Sequence, residues 1–203
     1  MRRTVYNQDH EDFRAMIRDF IEAEVVPYYD EWFEAGIVPR DFYQKLGKLG
    51  IFEIEVPTEY GGSGVDSYKF QAIESEELSR AGVSFGGSGV HVALCLPYLK
   101  SLATEEQKQR WLPELAKGSK VGAFGLTEPN AGSDAVNIRT RAAKDGDSYV
   151  LNGEKTWISL ADYADKFLVI AVTDPEAKSK AHGMSAFIVD RNLPGFHSKP
   201  LHG

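Results

Sequence analysis

The chain reads as an α+β protein, an N-terminal all-α helical domain followed by an antiparallel, β-barrel-like domain, and three observations predict that order. Apolar residues recur at helical spacing as far as Gly118, and after Val121 the period becomes alternating. The dipeptides Asp145-Gly146 and Asn152-Gly153 then fall between short alternating runs, where they signal tight hairpins. Helices first and strands afterwards argue for an α domain followed by a β domain. The border falls at 117–120, giving a helical domain over 1–119 and a β domain over 120–203.

Over 9–28, Phe13, Met16, Ile17, Phe20, Ile21 and Val25 share one helical face, and Asp12, Arg14, Arg18, Asp19 and Glu22 the other. Pro39 starts a short helix carrying Phe42, Leu46 and Leu49, which Gly50 closes as a left-handed cap. Residues 51–66, with Pro57 and the run Gly61-Gly62-Ser63-Gly64, form an irregular surface connection. A helix over 68–81 carries Glu74, Glu76 and Glu77 as a solvated acidic face. The pentapeptide G-G-S-G-V at 61–65 returns at 86–90, but neither copy has the lysine and Ser/Thr of a phosphate loop, so both are loop and helix-entry glycines. Thr104 and Gln107 form a capping box ahead of Trp111 and Leu112, Pro113 ends or kinks that helix, and Gly118 closes the helical region. Strands are predicted over 121–126, 138–144, 148–151, 154–158, 167–172 and 185–189, with 174–183 as an exposed hairpin loop.

Composition narrows the function classes. A hydrophobic content of 42% suffices for proper cores, and a net charge of -7 offers no general attraction to phosphate backbones or anionic lipid. No nucleic-acid partner and no stable membrane insertion are therefore expected; no window approaches the roughly 20 apolar residues that cross a bilayer. Arg2 and Arg3 lead into Asp9, Glu11 and Asp12 without an apolar run, which predicts a cytoplasmic protein rather than a secreted or imported one. The single cysteine, Cys95, lies in an apolar run and is expected in the core. The histidines, His10, His91, His182, His197 and His202, share no ligand spacing, so no metal site is expected.

Two stretches carry the functional signal. Residues 124–134, F-G-L-T-E-P-N-A-G-S-D, pass from an apolar strand into a turn dense with backbone N–H and hydroxyl groups. Residues 155–159, K-T-W-I-S, offer a large flat ring at Trp157 and a hydroxyl two residues later at Ser159. Together they describe a slot with one apolar wall and a hydrogen-bonding rim, suited to a planar aromatic cofactor. Taken singly, the hydroxyls of Thr127, Ser133 and Ser159 satisfy their own turns; taken at this joint spacing they point to the slot. Glu128, ahead of a proline, reads as turn structure rather than a general base.

L-T-E-P-N-A-G-S-D followed by N-G-E-K-T-W-I-S resembles the flavin-binding signature of the acyl-CoA dehydrogenases, and local wording is nearest the long-chain type. The resemblance covers the whole chain, and G-x-G-x-x-G is absent. It implies FAD as cofactor, with Phe124 and Leu126 lining the isoalloxazine edge, the Leu126 and Thr127 N–H groups and the Thr127 hydroxyl serving its pyrimidine side, Trp157 walling the ring, Ile158 among the cofactor-binding residues, and Ser159 donating toward N5. It makes Ser133 a contact of both cofactor and thioester substrate. In the helix after the second G-G-S-G-V, Val90, Val92, Ala93, Leu94 and Leu96 then either line an acyl tunnel or pack as ordinary helix residues.

The implied reaction oxidises an acyl-CoA to its trans-2-enoyl-CoA, with electron-transferring flavoprotein as the electron acceptor and a homotetramer as the assembly. The family continues beyond Gly203 into the rest of its middle domain and a C-terminal helical domain that carries the glutamate base, so this chain is expected to be inactive alone. An acyl-CoA oxidase or flavin monooxygenase of the same fold, or a non-catalytic partner module, stays open as an alternative.

Overall fold

The structure, a computed structural model, describes residues 4–201; Met1, Arg2, Arg3, His202 and Gly203 lie outside the described residues. The chain divides into two compact units, Met1–Gly89 with Leu102–Ser119, and Val90–Ser101 with Lys120–Gly203.

The first unit is helical. Helix α1 spans Gln8–Glu24, started by an Asn7 capping box; α2 is Tyr29–Ala35, α3 Arg40–Lys48, α4 Lys69–Ala81 and α7 Glu105–Ala116. The expected single helix over 9–28 instead stops at Glu24 and passes through a 3-10 turn at Val26–Tyr28, because Pro27 supplies no N–H to continue the ladder. The Thr104–Gln107 capping box forms as expected. Pro113 does not end its helix, which runs on to Ala116 with Leu112, Leu115 and Ala116 buried; burial of that face outweighs one missing hydrogen bond. Gly50 caps α3 with φ +85° as expected. Phe42 is buried in the core, its ring 4.9 Å from that of Trp32 and 5.5 Å from that of Phe85, and Ile17, Ile21, Leu46 and Ile73 are fully buried.

The acidic face of α4 is not solvated, which corrects the sequence reading. Glu77 is buried and accepts hydrogen bonds from Arg14 at 3.0 Å, Arg18 at 2.8 Å and Arg80 at 2.8 Å. The Arg18 guanidinium, helped by Arg80 and Arg14 against the cost of burial, holds its carboxyl at about 2. Glu74, one turn earlier, has no such partner among the described residues, and burial pushes its carboxyl up to about 7. Two of the three cations come from α1, about 60 residues away in sequence, so no local window could show them.

In the second unit, α5 (Ser88–Val90) begins just before it, and a π-helical turn at His91–Cys95 leads into α6 (Leu96–Leu102). Strands are β1 Gly122–Gly125, β2 Arg141–Asp145, β3 Ser148–Asn152, β4 Lys166–Val172 and β5 Met184–Asp190. The order is β1-β4-β2-β3, with β5 also on β4. The sheet is mixed rather than antiparallel throughout: β4 pairs antiparallel with β5 but parallel with β1, and β2 meets it in parallel at Arg141 and Val172. The Asp145-Gly146 hairpin forms between β2 and β3, and 174–183 joins β4 to β5 as the expected loop. The strand predicted over 154–158 does not form; Asn152-Gly153 is the exit from β3, not a hairpin turn. Cys95 is buried as expected, and burial pushes its thiol up to about 12.

Candidate flavin-binding site

The sheet ends β1 at Gly125, and the next three residues are fastened by the segment that failed to become a strand. Thr156 N–H donates to the Thr127 carbonyl at 2.9 Å, and the Lys155 ammonium donates to the Leu126 carbonyl at 3.0 Å and to the Glu128 carboxylate at 2.8 Å. These side-chain and single-rung bonds replace a ladder, which is why 154–158 is irregular. Glu128 also accepts from the N–H groups of Arg139 at 2.5 Å and Thr140 at 2.9 Å, while its backbone exchanges bonds with Ala131 at 3.0 and 3.1 Å. Burial alone would raise the Glu128 carboxyl, but Lys155 and the two N–H groups outweigh it and hold it at about 2. Burial pulls Lys155 down, and Glu128 opposes that. Glu128 is turn structure, as its sequence context predicts; Lys155 as its partner is what sequence reasoning missed. The signal was the register of the two motifs: a lysine just before the rung that pairs 156 with 127 reaches the residues either side of Thr127.

The two motifs are therefore one structural element. Lys155 with its bonds to Glu128 and Leu126 forms a latch; Trp157, two residues on, has φ +56°, a left-handed conformation, and stands 76% exposed. Ile158 packs the other way, against the cluster of Ala123, Ala164 and Phe167 beneath β1 and β4, so its side chain belongs to the protein's interior. That anchor explains how an unsupported tryptophan can be held out. Phe124 and Leu126 are half-buried, and the ring of Phe124 is covered by Tyr98 of α6 at 5.3 Å. Thr127 is half-buried, Ser133 and Ser159 are exposed, and the three hydroxyls make no hydrogen bond among the described residues. These bonds join 126–128 to 155–156; among the described residues no hydrogen bond ties Ser133 or Ser159 to that group. The loop bearing Ser133 is fixed separately, through Asn130 donating to the Asn137 carbonyl at 3.2 Å and the pairing of Asn137 with Asp134 and Lys180.

Chemically, the donors these motifs carry are neutral, hydroxyls and N–H groups, and the Lys155 and Glu128 charges are paired with each other. Such a rim fits an uncharged planar ring system that gains electron density at its edge.

Comparison with known proteins decides the family. The acyl-CoA dehydrogenase N-terminal domain matches residues 7–119 and the middle domain matches 123–203. The chain belongs to the acyl-CoA dehydrogenase family. It is 38% identical over 194 residues to the long-chain specific acyl-CoA dehydrogenase of Sus scrofa mitochondria, covering 96% of this chain and 45% of that protein. An acyl-CoA dehydrogenase from Geobacillus kaustophilus superposes with a TM-score of 0.89 at 42% identity, over 95% of this chain and 50% of that one. A glutaryl-CoA dehydrogenase from Mycobacterium smegmatis, solved in complex with FADH2, gives 0.85 at 33% identity over 97% and 49%. The chain thus spans about half the length of the relatives it matches. Among its described residues, no helix is long and apolar enough to cross a membrane.

For this member of the acyl-CoA dehydrogenase family, the latch has a packing dependence that can be tested. A Cβ at Gly153, whose φ is +157°, would lie 2.6 Å from the Thr140 Cα and 2.4 Å from its Oγ1. Gly153→Ala must push the Thr140 backbone, and with it the N–H that holds Glu128. The expected result is a loss of about 1–3 kcal/mol from overpacking and strain, read as a lowered urea midpoint at unchanged m-value.

Proposed function

We propose that the slot seats the isoalloxazine ring of FAD, and that the protein carrying this chain dehydrogenates an acyl-CoA thioester to the trans-2-enoyl-CoA. The observation that carries this is the exposed Trp157 ring, held on left-handed backbone and bonded through its neighbour to the Thr127 loop. A tryptophan set out at such backbone cost is supported by a ligand that covers it.

When bound, FAD supplies the two-electron acceptor for the β-carbon hydride. The chain's own residues do the positioning. Trp157 gives the apolar wall, the Thr127 N–H and hydroxyl present donors to the pyrimidine edge, Ser159 offers a hydroxyl toward N5, and Ser133 serves cofactor and thioester alike. Phe124 and Leu126 bound the edge, and Ile158 contributes through its backbone while its side chain anchors the segment. Donors aimed where negative charge accumulates favour the reduced state. Glu128 is no α-proton base on this reading, because its oxygens are engaged by Lys155 and two N–H groups and its carboxyl is held at about 2. The base is assigned outside this sequence, by resemblance to the family. The same resemblance supports electron-transferring flavoprotein as the onward acceptor, long-chain thioesters as substrate, and a cytoplasmic homotetramer.

The test is the visible spectrum of the purified protein with titrated FAD. Flavin absorption that travels with the protein, and loss of FAD fluorescence quenching in Trp157→Ala, are expected. A colourless protein that leaves FAD fluorescence unchanged would overturn the reading. The 203-residue chain alone should not reduce a dye on addition of acyl-CoA; if it did, the assignment of the base would be wrong.

A further inference from the structure

The latch does more than close the loop, because of where its cation sits. Lys155 Nζ lies 3.0 Å from the Leu126 carbonyl, and a trans peptide turns the following N–H, that of Thr127, to the opposite side. That N–H makes no hydrogen bond among the described residues, although Thr127 is half-buried and its carbonyl is occupied by Thr156. The lysine stem runs beside Gly125, where an added Cβ would meet its Cγ at 3.6 Å, and its side chain is 11% exposed. A cation on a carbonyl draws electron density along the peptide, which makes the N–H at the other end a stronger donor.

We propose that Lys155 is a positioning residue for the seat: held by Glu128, its ammonium turns and polarises the Leu126–Thr127 peptide so that the Thr127 N–H is aimed at, and strengthened for, the electron-rich edge of a bound flavin. This rests on the flavin reading above. Glu128 keeps the ammonium on the carbonyl and off the ring, so the charge acts through one peptide bond rather than directly.

The experiment uses the purified protein, with FAD affinity read by fluorescence quenching and the flavin midpoint potential read against a reference dye. Lys155→Met should weaken FAD about tenfold, the loss of one charge-assisted bond's influence, and should shift the midpoint potential negative, since the reduced flavin loses stabilisation. Lys155→Met leaves Glu128 buried without its cation, so the double variant E128Q/K155M is measured beside it to remove both charges together. The double variant is expected to show the same negative shift, because the Leu126 carbonyl still lacks its cation. Recovery of wild-type affinity and potential in the double variant would overturn the proposal, showing that Lys155 matters only as a partner for Glu128. A potential unmoved in both variants would also overturn it. If the wild-type protein takes up no FAD, the flavin reading itself fails, and this proposal fails with it.

Discussion

Truncation of Glu128 to alanine is expected to cost about 3–5 kcal/mol of unfolding free energy, the range for breaking a buried ion pair from one side. The Glu128 side chain is 2% exposed, so nothing in solvent replaces it. The change leaves the Lys155 ammonium without its anion and the N–H groups of Arg139 and Thr140 without their acceptor. Urea unfolding followed by circular dichroism measures the loss. Binding of FAD should fall with it, since this carboxylate holds the lysine that, with the Thr156–Thr127 rung, ties the two motifs together. A Glu128→Ala protein with a wild-type urea midpoint would show that the latch contributes nothing.

Removal of Glu77 is the second large effect. Glu77→Ala takes away the carboxylate shared by three guanidinium groups, of which Arg14 is half-buried and keeps Glu76 and Glu11, and Arg80 keeps Glu22. Arg18 and Arg80 are nearly half exposed and partly screened, which keeps the expected loss to about 3 kcal/mol. The pH dependence has a definite sign. The folded carboxyls of Glu77 and Glu128 are held at about 2 against an ordinary 4.5, so their stabilisation is present above 4.5 and is lost as pH falls from 4.5 toward 2. Melting temperature should drop steeply across that window in the wild-type protein. In Glu77→Ala it should start lower and fall less. An identical acid limb in the two proteins would remove Glu77 from the account.

Much of the fold was legible because it rests on local chemistry. The Asn-free capping box at Thr104 and Gln107, the Gly50 cap and the Asp145-Gly146 hairpin each need only residues within a few positions of one another. What escaped depends on distant partners. The acidic run on α4 looks solvated until α1 brings Arg14 and Arg18 to it. The stretch 154–158 has the composition of a strand, yet its hydrogen bonds go to 126–128 through a lysine side chain and one backbone rung. The parallel pairing of β1 with β4 was hidden for the same reason, since alternation reports a strand and not its neighbour. At the site, the two motifs announced themselves by residue type and separation, while the pair that fuses them was visible only as a turn glutamate and an unremarked lysine.

The left-handed backbone at Trp157 sets two selective pressures against each other. Glycine or asparagine would sit in that conformation with little strain, whereas an indole-bearing residue carries a penalty of about 1–3 kcal/mol. Evolution for thermal robustness alone would discard the tryptophan. On the proposed flavin reading its presence trades durability for grip, and a stabilised variant of this protein should be engineered everywhere except there.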